Sequence, residues 1–139
     1  MVKIFSKSCE HILRIMSQIP QLKYDQVFLA KDICRESKVP EHSARKGLQL
    51  LVQQEILKAV PGPGGGYEFK IHPQQVPLLR ILELLDGKES FKCCILGLPD
   101  CNNKSPCSMH GVWKDLREKV IKEFKNKSLF DLMKKDENK

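Results

Sequence analysis

The sequence predicts a mostly α-helical chain carrying one small β-hairpin, and three observations carry that prediction. Apolar residues recur at three- and four-residue steps along several separate stretches, which is the period of an amphipathic helix. Two short apolar runs, Ile56 to Val60 and Tyr67 to Ile71, flank the turn-forming sequence Pro61-Gly-Pro-Gly-Gly-Gly66 and read as paired strands. Neither pattern holds over Cys93 to His110, where four thiols and one imidazole fall within eighteen residues. Gly97, Pro99, Asp100, Asn102, Asn103, Ser105 and Pro106 lie between them and favour turns over regular structure.

Length and charge narrow the possibilities. At 139 residues the chain is most simply one compact domain with an extension, large enough for a hydrophobic core. A net charge of +7 suits a polyanionic partner, although a basic surface can also be merely solvated. No secretory signal is visible, because Glu10, His11 and Arg14 interrupt any apolar run near the start. A cytoplasmic location follows as the expectation. Thiols there stay reduced, so the six cysteines point to metal or redox chemistry before disulfides.

Phe5, Cys9, Ile12, Leu13, Met16 and Ile19 mark the apolar face of a first helix, which Pro20 ends. Tyr24 to Leu29 is a connector, and Ala30 to Glu36 a second helix with Ile33 and Cys34 facing inward. Ser37-Lys-Val-Pro40 interrupts it, since the residue before a proline is pushed out of helical geometry. The third helix runs from about Pro40 to Gln54. It turns Ala44, Leu48, Leu51 and Val52 to one side and His42, Ser43, Arg45, Lys46 and Gln49 to the other.

Two short helices around a tight turn, the second basic near its start, fit a helix-turn-helix, and a glycine-rich hairpin directly behind them fits a winged helix. The glycines, Gly64 and Gly65 among them, let the tip approach a phosphate backbone closely. A nucleotide-phosphate loop is the competing reading, but no GK[ST] follows and strands flank the turn on both sides. His42, Ser43, Arg45 and Lys46 are the candidate contacts to double-stranded DNA.

Pro77 to Asp86 is a short apolar helix stopped by Gly87. After the cysteine stretch, Trp113, Leu116, Val120 and Phe124 form a narrow apolar seam along a charged helix from His110 to about Lys127. Such a seam marks a dimerisation helix, unless it packs back on its own domain. Ser128 and Asp131 have capping-box spacing, which starts a last short helix, and Lys134 to Lys139 reads as a frayed tail.

Cys94, Cys101, Cys107 and His110 are spaced C-x6-C-x5-C-x2-H, and Cys93 can replace Cys94 with one residue added to the first gap. Three chemistries are open. Structural zinc normally uses a tight cysteine knuckle, which is missing here. The wide spacing better suits ligands approaching an iron–sulfur core from several sides, though thiolates serve both metals. A bare thiol switch, with Lys92 and Lys104 lowering a thiol pKa, is the third.

The order of helix-turn-helix, wing, apolar helix, cysteine loop and long helix resembles the IscR/NsrR-type iron–sulfur transcription regulators over nearly the whole chain. Gly62-Pro-Gly-Gly-Gly-Tyr67 and Cys107-Ser-Met-His-Gly-Val-Trp113-Lys-Asp-Leu116 carry the resemblance most sharply. It implies three units. Residues 1–86 are a winged helix-turn-helix domain with its wing at about 56–71, residues 87–110 a cluster-binding loop, and residues 110–139 the dimerisation helix and tail. It also implies a homodimer on a pseudo-palindromic operator, a repressor or an activator, whose DNA binding changes with cluster status, redox state or nitric oxide. Cys94, Cys101 and Cys107 match the cysteine ligands, and His110 matches the histidine that goes with a 2Fe-2S cluster. Glu10 matches an acidic first-helix ligand found in other members with either 2Fe-2S or 4Fe-4S clusters.

Two departures touch specificity. Arg45 and Pro61 stand where some members have an acidic residue and an arginine, and arginine favours guanine edges, so a different operator is expected. No nucleophile–base pair or second cofactor motif is evident, which argues against an enzyme or an electron carrier.

Overall fold

The computed structural model describes residues 6–63, 66–87 and 110–135. Among the described residues, six α-helices and one hairpin follow each other as α1 (Lys7–Gln18), α2 (Ala30–Ser37), α3 (Glu41–Gln53), β1 (Leu57–Val60), β2 (Gly66–Phe69), α4 (Leu78–Asp86), α5 (His110–Asn126) and α6 (Leu129–Leu132). Each helix and strand expected from the sequence is present, with ends shifted by a residue or two.

Local chemistry explains the boundaries. The Ser6 hydroxyl accepts from the Cys9 amide and caps α1, which stops at Ile19 ahead of Pro20. Pro77 precedes α4, and Gly87, at φ 86°, ends it in a conformation that favours glycine. Ser128 and Asp131 form the predicted capping box: the Asp131 amide donates to the Ser128 hydroxyl, and the Asp131 carboxylate accepts from the Ser128 amide.

One core gathers the buried faces. Ile12, Ile15 and Met16 of α1 meet Ile33 of α2, Leu48 and Leu51 of α3, Leu57 of β1 and Ile81 of α4. Leu129 and Met133 also belong to it, so the C-terminal helix closes the same core. A smaller cluster joins Cys9 and Leu82 to Leu79, Val120, Ile121 and Phe124, seating α5 against α4. The two helices are zipped at one end by Leu78 N–H to Lys127 O, 2.9 Å, and Leu129 N–H to Val76 O, 2.8 Å.

Gly47 permits a close helix crossing. A Cβ placed there would lie 2.5 Å from two atoms of the buried Ile12 side chain, so only glycine lets α3 sit this near α1.

Three findings differ from the sequence reading. Phe28 lies within a segment expected to be a plain connector, but it bridges Tyr67 with reciprocal main-chain bonds of 2.8 Å, pairing one residue antiparallel to the free edge of β2. Lys134 was expected in a frayed tail. Instead its N–H donates to Ile19 O and its carbonyl accepts from Gln21 N–H, each at 2.9 Å. Both pairings are long-range main-chain bonds, which leave no periodic trace in the sequence. The α5 seam is also divided: Trp113 is buried and Val120 and Phe124 pack on the α4 side, while Val112 (55% exposed) and Leu116 (48% exposed) face outward. No helix among the described residues is long and apolar enough to cross a membrane.

Candidate nucleic-acid interface and the cysteine segment

The turn between α2 and α3 is made by three residues. The Ser37 hydroxyl donates to the Ile33 carbonyl at 2.6 Å, closing the last turn of α2. Lys38 then takes the left-handed conformation, φ 57°, and the Val39 N–H returns to the Cys34 carbonyl at 3.0 Å. Val39 is buried and Pro40 opens α3. This turn angles the start of α3 outward while Ala44, Leu48 and Leu51 anchor its other face.

On the outward face His42, Arg45, Lys46 and Gln49 are exposed. Ser43 stands apart from them. It is half-buried, with its hydroxyl 3.3 Å from His11 Nδ1 of α1. Arg45 is also engaged, since its Nη2 donates to Glu41 Oε1 at 2.7 Å. That bond pushes the guanidinium pKa still higher, so Arg45 stays cationic. The wing stands beside it, with β1 and β2 antiparallel from Leu57↔Phe69 to Val60↔Gly66. A hollow of about 360 Å³ opens where Lys31, Arg45, Val60, Gly66 and Tyr67 converge. Pro61, Gly62 and Pro63 at the wing turn are exposed, and Gly62, at φ 91°, adopts backbone that favours glycine. Gly64 and Gly65 lie outside the described residues.

Cys93, Cys94, Cys101 and Cys107 also lie outside them, and His110 is described only as the first residue of α5. The end of α4 shows where the chain enters that segment. Asp86 accepts from the Ser6 amide at 2.7 Å and from the Ser6 hydroxyl, so residue 87 begins beside the N-terminus of α1. Cys9 and Glu10 are on that end of α1.

Cys9 is fully buried, and burial, helped by the nearby Asp86 charge, pushes its thiol up to about 12. Cys34 is buried on α2 and its thiol is raised by the same desolvation and by Glu41. Neither is poised as a thiolate ligand. Glu10 is accessible but already paired, 3.0 Å from Arg14 and 3.9 Å from Lys7. No three histidine, cysteine or acidic residues converge among the described residues. The expected donor set, Cys94, Cys101, Cys107 and His110, therefore rests on the sequence, and Glu10, the further candidate, is held by Arg14 at 3.0 Å.

The sequence reading missed Glu41, His11 and Lys31 at the interface. Glu41 and Arg45 have the four-residue spacing of a helix ion pair, a signal that was present. Lys31 and the His11–Ser43 contact depend on how the helices pack and carried none.

Comparison with known proteins then decides the family. The pattern of the Rrf2 family, described as an iron-dependent transcriptional regulator, matches residues 5–135. The chain belongs to the Rrf2 family. An HTH-type transcriptional regulator of Aquifex aeolicus is 24% identical over 132 residues, covering 94% of this chain and 91% of that one. IscR of Vibrio campbellii is 27% identical over 105 residues, 68% of this chain and 61% of IscR. Among solved structures, CymR of B. subtilis, described as its global cysteine regulator, superposes with a TM-score of 0.73 at 20% identity, covering 95% and 96% of the two chains. This Rrf2 protein is thus a winged-helix transcription regulator and not an enzyme, in line with the sequence reading.

Proposed function

We propose that this Rrf2-family regulator binds a DNA operator as a homodimer through α3 and the wing, and that residues 94–110 hold an iron–sulfur cluster whose state changes that binding. The observation supporting the DNA half is the exposed His42, Arg45, Lys46 face beside the wing hollow. Such a face supplies base-edge donors and phosphate contacts together. What supports the cluster half is the donor set, Cys94, Cys101, Cys107 and His110, in a chain related to IscR. A bound cluster would supply a redox-active, oxygen- and nitric-oxide-sensitive centre.

This chain's own residues provide the coupling. Asp86 ties the entry of the cysteine segment to the α1 cap, and α1 meets α3 at Ile12–Gly47 and His11–Ser43. Coupling requires DNA to bind the two states of the segment with different affinity, and this connected packing is a route for it.

The deciding experiment is an absorption spectrum of protein purified without oxygen, with iron and acid-labile sulfide assayed on the same sample. Visible bands with matched iron and sulfide are expected, and the ratio to protein distinguishes two-iron from four-iron. Cys101→Ala should lose the bands and alter DNA affinity under anaerobic conditions. Unchanged affinity would refute the coupling.

A second reading, a metal-free thiol sensor, draws on the likeness to a regulator described as governing cysteine. Colourless protein that fails reconstitution yet changes DNA affinity on oxidation would select it. Colourless protein with stoichiometric zinc would select a structural site instead.

A further inference from the structure

The Glu41–Arg45 pair lies on the helix proposed to read DNA, where an arginine's orientation bears on sequence choice. Similar four- or three-residue pairs, Arg14–Glu10 and Arg35–Asp32, lie on α1 and α2. All three are solvent-exposed pairs. Glu41 differs because it is the first residue of α3 and its partner lines the hollow between that helix and the wing. A carboxylate in the first turn is also favoured by the helix dipole, which keeps Glu41 in place.

An arginine offers five N–H donors in a planar fork. Contact with guanine O6 and N7 uses two of them. Holding Glu41 through one Nη2 hydrogen leaves the second Nη2 hydrogen and the Nη1 edge free, so both contacts can exist at once. A guanidinium already fixed on one side loses less rotational freedom when it meets the base, and its plane is preset. Without Glu41, the same cation can swing to a phosphate, where it carries no sequence information.

We propose that Glu41 is a positioning residue for specificity, orienting Arg45 toward a guanine edge and away from the phosphate backbone. The inference rests on the proposed DNA reading, and the test separates the two. Wild type, Glu41→Ala, Glu41→Gln and Arg45→Ala would each be used to select sites from a random-sequence duplex pool, with affinities then measured on single-base variants of the enriched site.

In wild type, one guanine pair should depend on Arg45, its preference disappearing in Arg45→Ala. Glu41→Ala should weaken that same preference about ten-fold, while raising affinity for unselected DNA because a negative charge is gone. Glu41→Gln keeps an acceptor and should retain part of the preference. In the Arg45→Ala background, Glu41→Ala should change no base preference. If Glu41→Ala and Glu41→Gln raise binding to all sequences equally and leave the motif intact, Glu41 acts only through charge and the proposal is overturned. If Arg45→Ala keeps every preference, the assignment of Arg45 as reader is wrong and the proposal falls with it. If wild type enriches no motif, the DNA reading itself fails.

Discussion

Gly47 shows how much can depend on one missing side chain. Its position on α3 is crossed by Ile12 of α1, and both residues are buried. Gly47→Ala would improve helix propensity by about 1 kcal/mol but force the Ile12 side chain to shift within a filled core, at a cost of about 1–3 kcal/mol. The expected outcome is a lower urea midpoint with an unchanged m-value. Ile12→Val in the same chain should recover part of the loss by making room. Gly66 is tighter in kind, because an added Cβ would meet the Phe28 carbonyl, which is backbone and bonded to Tyr67. Gly66→Ala should therefore detach the Phe28 bridge, seen as faster amide exchange at Phe28 and Tyr67. Cys9 and Cys34 provide a third test at this scale. Both are buried with raised thiol pKa values, so alkylating reagent should label them only after unfolding, as read by peptide mass spectrometry.

Among the elements, those with local signals were legible and those made by distant pairing were not. Apolar periodicity and the proline stops placed α1 to α4 closely, and Ser128 with Asp131 marked α6 despite an aspartate where glutamate is usual. Ser128→Ala should cost about 1 kcal/mol by removing that cap, measured by thermal or urea unfolding. Phe28 and Lys134 were misread because main-chain bridges to remote segments need no particular side chain. The candidate site divides in the same way. The ligand set expected in the cysteine segment falls outside the described residues, whereas the polar side of α3 could be read directly. The loss of Ser43 to His11 could not, since it arises where α1 crosses α3. Nor could the split in the α5 seam, in which Val120 and Phe124 pack on the α4 side while Val112 and Leu116 stay exposed.

For the whole molecule, that uncovered strip on α5 is where a second copy would sit in the proposed homodimer. Leu116→Glu would place a charge there without disturbing the core. The expected result is a monomer by light scattering, retaining its helical spectrum but losing most operator affinity, because two linked half-sites bind far more tightly than one. The Asp86–Ser6 contact has a different consequence. Together with the bonds joining Val76 and Leu78 to Leu129 and Lys127, it fastens the α4–α5 pair to the body at both ends, independently of what lies between residues 87 and 110. The proposed sensor would thus be carried as a cassette. A replacement loop of different length or donor chemistry could be spliced between Gly87 and His110 without unravelling the frame that receives it. One DNA-binding chassis could then be rewired to answer a different chemical input.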